Sequence, residues 1–230
     1  MTTISANLQA VRQRIAAACA AAGRAAAPVE LLAVSKTWPA GRVREAAAAG
    51  QRAFGESYVQ EAVPKIAALA DLGLEWHYIG PLQSNKTRPV AENFAWVHSI
   101  ERLKVTERLA GQRPGGLPPL QVCVQVNVSG EQSKSGCAPA EAAALCRAVA
   151  ALPNLKLRGL MAIPEPTADL ALARRRFALL RELRDGLAQE GLALDTLSMG
   201  MSDDLEAAIM EGATIVRVGT AIFGERNHVQ

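Results

Sequence analysis

"LLAVSKTWPAGRVREAAAAG", from Leu31 to Gly50, sets a short apolar run directly before a helical pattern, with one lysine at the junction. Leu31–Ser35 reads as a buried strand and Val43–Ala49 as a helix that begins after Pro39. The turn between them, "VSKTWP", contains no glycine. An open doubly wound sheet normally carries a Gly-rich fingerprint at this first turn, so that fold becomes the second choice.

Working outward, the same strand–helix unit recurs to the end of the chain. Further strands are expected at Arg52–Gly55, Glu75–Gly80, Ala95–Ser99, Leu120–Val128, Lys156–Ala162, Ala193–Ser198 and Thr214–Val218. Helical patterns between them include Val59–Ala70, Arg102–Ala110, Ala140–Ala151, Asp169–Glu190 and Asp203–Met210. This alternation predicts an α/β protein, a single (β/α)8 TIM-type barrel over residues 1–230 with an extra N-terminal helix. That first helix is expected to be capped by Ser5. In "LQVCVQVNV" the valines 122, 124, 126 and 128 share one face and Cys123, Gln125 and Asn127 the other. A barrel strand would turn the valines to the helices and the mixed face inward, bringing Asn127 toward the mouth.

Composition excludes several functions. The formal charge of +3 is small, and its one dense basic run, Arg174–Arg176, lies in a helical pattern, which argues against nucleic acid. No apolar stretch reaches the roughly 18 residues of a membrane span. The N-terminus lacks the layout of a leader, and Cys19, Cys123, Cys137 and Cys146 show no CxxC spacing. Reduced thiols and a cytoplasmic location are expected. His77, His98 and His228 are isolated in sequence, so no metal site is expected.

Barrel chemistry sits where strands end. Among the six lysines, Lys65 and Lys104 fall in helices and Lys156 starts a strand, while Lys86 and Lys134 lie in upper loops. Lys36, at the tip of the first strand, is the best-held nucleophile, and desolvation there would favour the neutral amine. "LSMGMSDDLEAAI" after strand seven offers Ser198, Gly200 and Ser202, with Ser202 or Asp203 as a helix cap. "VRVGTAIFG" adds Arg217, Gly219 and Thr220 after strand eight. Barrels recurrently bind phosphate in the loops after strands seven and eight, and closure makes strand eight the neighbour of strand one. An amine beside an anion site suits a phosphorylated aldehyde held as an imine, of which pyridoxal phosphate (PLP) is the commonest.

"AVSKTWP", "FGESYVQEAVPK", "WHYIGPLQSNKT", "SGEQSKSG", "LRGLMAI", "LSMGMSDDLEAAI" and "VRVGTAIFGER" occur in order across nearly the whole chain. They resemble the YggS/PROSC family of pyridoxal phosphate homeostasis proteins. The resemblance implies a barrel like the N-terminal domain of alanine racemase, with pyridoxal 5'-phosphate as a Schiff base on Lys36. It further implies cofactor contacts from Ser198, Met199, Gly200, Gly219, Thr220 and Asn85, and Arg217 facing the pyridine nitrogen. A cation there disfavours ring protonation and with it carbanion chemistry. One departure is Ser57, where the family has asparagine in "GENYVQE", so that residue's contact is not carried over. His77 and Asn127 are additional mouth candidates.

The function expected is a non-enzymatic carrier in vitamin B6 homeostasis that buffers the cofactor and delivers it to apo-enzymes, as a monomer. The alternative is an amino-acid racemase, which in this fold needs a second domain and a second base. The chain offers Tyr58 and Tyr78 as its only tyrosines and no segment for that domain after the eighth strand. A cofactor-free Schiff-base aldolase is the third reading.

Overall fold

The computed structural model describes residues 3–24, 29–130 and 135–225. Eight strands run β1 (Glu30–Val34), β2 (Ala53–Glu56), β3 (Glu75–Tyr78), β4 (Trp96–Ile100), β5 (Leu120–Gln125), β6 (Leu155–Met161), β7 (Thr196–Ser198) and β8 (Ile215–Val218). They form one closed parallel barrel in chain order, with β8 returning to pair with β1 through Leu31↔Val216 and Ala33↔Val218. Helices α1 (Ile4–Ala21), α2 (Ala40–Ala48), α3 (Val59–Ala68), α4 (Thr87–Asn93), α5 (Leu103–Gln112), α6 (Pro139–Ala150), α7 (Leu170–Gln189), α8 (Leu205–Met210) and α9 (Thr220–Phe223) surround it. The predicted (β/α)8 architecture is therefore the observed one.

Two packing layers explain why the strands read as they do. Alternate side chains such as Ala33, Val122, Val124 and Leu160 join the helices in one large apolar core. The others fill the lumen, where Leu32, Ala53 and Ile215 form one cluster and Trp96, Cys123 and Met161 another. The inward reading of Cys123 is correct, but β5 stops at Gln125 rather than Val128. Beyond it Val126 bridges to Cys137, and Asn127 Oδ1 accepts from the N–H groups of Ser129 and Gly130.

Helix starts differ from expectation at two places. Thr3, not Ser5, caps α1, its Oγ accepting from the Ala6 N–H at 3.2 Å. Asp204, rather than Ser202 or Asp203, is the N-cap of α8, and its carboxylate accepts instead from the Met201 N–H at 2.6 Å. The helix α4 lies where the sequence reading named none, because Pro89 in its first turn obscures the pattern. Helix α1 packs along the β8–β1 side through Ile4, Leu8, Val11, Ile15 and Ala18, and Arg14 ties it to Glu206 and the Ser202 carbonyl.

Candidate functional site

Lys36 follows β1 at the upper rim and is half-buried. Its neighbours are pinned on both sides. Ser35 donates through Oγ to Glu56 Oε1 at 2.7 Å, while its carbonyl accepts from Lys65 Nζ at 3.0 Å. Thr37 adopts φ 70°, and its N–H donates to Glu61 Oε2. The chain thus turns sharply at the lysine, on a mount supplied by β2 and α3. Lys65 was set aside in the sequence as an ordinary helical lysine; it is buried and paired with Glu56. The available signal was its spacing, three residues beyond Ala62 and six beyond Val59 on the buried stripe of α3.

The loops after β7 and β8 meet this rim. Gly219 lies against β1: a Cβ on it would sit 3.2 Å from the Val34 carbonyl oxygen. Arg217 N–H donates to the Gly200 carbonyl at 2.9 Å, joining the two loops. Gly200 has φ +92° and fills a space where a Cβ would come 2.6 Å from Ala208 Cβ, so only glycine fits there. Among the described residues, the N–H groups of Gly200, Gly219 and Thr220 have no backbone acceptor, and Thr220 is exposed at the start of α9.

The remaining expected residues are distributed unequally. Ser198 turns its hydroxyl into the lumen, where it lies 2.7 Å from Arg217 Nη1 and 2.7 Å from His98 Nδ1. Met199 buries its side chain in the core and donates its N–H to the Ile215 carbonyl, leaving neither for the mouth. Asn85 stands exposed in a 3-10 turn after β3. Ser57 follows β2, its carbonyl packed against Gly80. Lys134 and His228 lie outside the described residues.

Arg217 is buried, and its guanidinium donates to the carbonyls of Ser198 and Ala162 as well as to Ser198 Oγ. No carboxylate among the described residues forms an ion pair with it. Burial pushes its pKa down to about 10, opposed by the charge of Asp204, so it remains a cation at neutral pH. Nor are the histidines isolated in space. His77 and His98 touch at 2.9 Å deep in the lumen, a contact their sequence separation conceals.

Lysine, glycine-lined loops and a buried arginine at one end of a parallel barrel define a class: a barrel equipped to hold a phosphorylated carbonyl compound. The donor set fits pyridoxal phosphate, since it combines an amine, glycine turns whose N–H groups have no backbone acceptor among the described residues, and a cation bound there only to neutral oxygens. Residues 6–227 match the family described as alanine racemase, N-terminal domain. A pyridoxal phosphate homeostasis protein of Pseudomonas aeruginosa is 66% identical over 228 residues, covering 99% of this chain and 98% of that one. Its namesake from Escherichia coli is 53% identical over 234 residues, covering 99% of each. The PipY structure from Synechococcus elongatus, with PLP bound, superposes with a TM-score of 0.79 at 41% identity, covering 91% of this chain and all of that one. This chain belongs to the alanine racemase N-terminal-domain family, in its pyridoxal phosphate homeostasis branch.

Proposed function

We propose that the protein binds pyridoxal 5'-phosphate as a Schiff base on Lys36 and serves vitamin B6 homeostasis as a carrier rather than as an enzyme. The observation that carries this reading is the close approach of Gly219 to Val34, two residues before Lys36, which sets the amine's strand beside the anion-competent loops. The names of the relatives and the PLP-bound neighbour support it.

When bound, the cofactor supplies an aldehyde that condenses reversibly with amines. The protein's part is to hold and insulate it. The N–H groups of Gly200, Gly219 and Thr220 are the donors for its phosphate, a narrower set than the sequence resemblance implies. Arg217 would place a cation at the ring nitrogen, which keeps a proton off it and so weakens the ring as an electron sink. Tyr78 does not suit the part of second base that the racemase alternative needs. Tyr78 donates its hydroxyl to the Pro81 carbonyl at 3.0 Å, and burial pushes its pKa up to about 12. Its hydroxyl is therefore neither free nor acidic enough for two-base chemistry.

Apo-enzymes that need the cofactor are the receiving partners in this proposal, with the protein acting as a cytoplasmic monomer that binds no nucleic acid. Among the described residues no helix is long and apolar enough to cross a membrane. Borohydride reduction of the cofactor-loaded protein followed by peptide mapping tests the central claim. Label on the peptide containing Lys36 is expected. Label on another lysine, or no visible absorbance after loading, would reject it. Interconversion of single-enantiomer amino acids at an enzyme-like rate would reject the carrier role.

A further inference from the structure

The lumen holds an unbroken hydrogen-bonded chain from one mouth of the barrel to the other. Arg217 Nη1 lies 2.7 Å from Ser198 Oγ, which lies 2.7 Å from His98 Nδ1. His98 Nε2 lies 2.9 Å from His77 Nδ1, and His77 Nε2 lies 2.9 Å from Glu75 Oε1. Ser198, His98, His77 and Arg217 are buried, whereas the Glu75 side chain is 49% exposed at the lower mouth.

The two ends of the chain dictate its direction. Guanidinium only donates, so Ser198 Oγ accepts from Arg217 and has one hydrogen left. A carboxylate only accepts, so His77 donates to Glu75 from Nε2. With both imidazoles neutral, each link in between is then fixed. Ser198 donates to His98 Nδ1, and His98 Nε2–H donates to His77 Nδ1. Burial, aided by the charge of Arg217, holds the His98 pKa well below its ordinary 6.5, in keeping with a neutral ring. The opposite polarity would give Ser198 Oγ two donors and leave its own buried O–H without an acceptor in the chain, a costly arrangement.

The surroundings hold the rings in this arrangement. Trp96 stacks on His77 with centroids 5.2 Å apart and planes 6° apart, and the Arg158 guanidinium covers the Trp96 ring at 5.0 Å. Glu75 is faced by His77 on its own strand, Glu30 on β1, Trp96 on β4 and Arg158 on β6. It also lines a cavity of about 910 Å³ between α1 and the lower ends of β1, β2 and β3, with Arg12, Arg24 and Arg52. Donor atoms of Glu30, Glu75 and His77 come within 4.8 Å of one another. A metal ion on His77 Nε2 would have to take the place of its proton and reverse every link above it, and nearby Arg158 opposes a second cation. Hydrogen bonding is the use of these groups that accounts for all four contacts.

We infer that Glu75, His77, His98 and Ser198 are positioning residues for Arg217, forming a relay of one polarity that couples the lower mouth of the barrel to the cofactor at the upper one. The inference rests on the carrier reading for its cofactor half only. If Arg217 is held by the relay, removing the acceptor at the far end loosens its cation from the cofactor ring, the ring takes a proton more readily, and the titration of the cofactor's ring nitrogen, read from its absorbance, moves to higher pH.

Two measurements test this. In the cofactor-free protein, ring-nitrogen NMR should find His98 neutral at pH 7, with its proton on Nε2, and His77 carrying a proton on Nε2. In the loaded protein, Glu75→Leu and His98→Leu should each raise the pH midpoint of that cofactor titration by about one unit. Glu75→Gln, which keeps an oxygen acceptor, should raise it by less than half as much. Glu75→Leu alters only a rim position and so serves if His98→Leu fails to fold. A proton on His98 Nδ1, or a charged His98, overturns the relay whether or not cofactor binds. Correct tautomers with unmoved midpoints in Glu75→Leu overturn the coupling. Failure of the wild-type protein to acquire any cofactor absorbance instead defeats the carrier reading, and the ring-nitrogen result then decides the relay alone.

Discussion

Glu56 and Lys65 form an ion pair with Oε1 and Nζ 2.6 Å apart, both side chains nearly inaccessible to water, at the root of the turn that carries Lys36. Glu56 Oε2 has no hydrogen-bond partner, and burial raises this carboxyl's pKa despite Lys65 and Ser35. Breaking such a pair leaves one buried charge uncompensated. Lys65→Met should therefore destabilise the fold by about 3–5 kcal/mol, whereas the double variant Glu56→Leu/Lys65→Met should cost much less. Urea denaturation of the three proteins measures both, and equal losses in single and double variants would show that the pair is not coupled.

Gly200 makes a second sharp demand. A side chain there meets both a left-handed backbone and Ala208 Cβ at 2.6 Å. Gly200→Ala should lose roughly 2 kcal/mol or more of stability and weaken cofactor uptake through the displaced turn. Adding Ala208→Gly relieves the clash but not the backbone strain, so it should restore part of the melting temperature and not all of it.

The fold was legible because each βα unit carries its own local signal, and the lack of glycine in "VSKTWP" already disfavoured the competing sheet. Lys36 was legible for the same reason: its place at a strand tip is a local fact. What could not be read was whatever depends on the direction of a side chain across the barrel. The small hydroxyl residues that cluster after β7 do not reveal in sequence that strand alternation aims the Ser198 hydroxyl at Arg217 and His98. His77 and His98 sit 21 residues apart, and only the lateral pairing of β3 with β4 brings them together. Glu56 and Lys65 were hidden because charged residues are seldom fully buried, and such pairs are visible only once packed.

The thiols divide by burial. Cys123, Cys137 and Cys146 are buried, and desolvation pushes Cys137 up to about 11, Cys146 to about 12 and Cys123 higher still. Thiolate is the reactive form, so these three should resist a disulfide reagent in the native protein. Cys19, partly exposed on α1, should react first and alone. Rapid native labelling of two or more thiols would contradict the packing, and mass mapping identifies which ones react.

Glu75 provides a pH dependence of known sign. Its carboxyl is held below the usual 4.5 chiefly by the hydrogen bond from His77. A folded-state pKa below the unfolded one contributes stability above about pH 4.5, and that contribution is lost as the pH falls through the folded value. Melting temperatures of wild type and Glu75→Gln should accordingly differ at pH 7 and converge on acidification below pH 4.5. A gap that widens on acidification would mean that the carboxylate is not what His77 holds.

Thr37 is a β-branched residue in the left-handed region, at φ 70°, immediately after Lys36. That conformation costs a residue of this kind on the order of 1–3 kcal/mol, whereas asparagine adopts it more readily. Against this stands an exposed hydrogen bond from Thr37 Oγ1 to the Lys36 carbonyl at 2.6 Å, worth little in water. The Thr37 N–H bond to Glu61 Oε2, which holds the turn, uses only backbone on the Thr37 side and survives substitution. Thr37→Asn should therefore raise stability by about 1 kcal/mol and leave the fraction of Lys36 trapped by borohydride unchanged. A fall in stability would show that the threonine hydroxyl, and not the peptide N–H, secures the turn that presents the lysine.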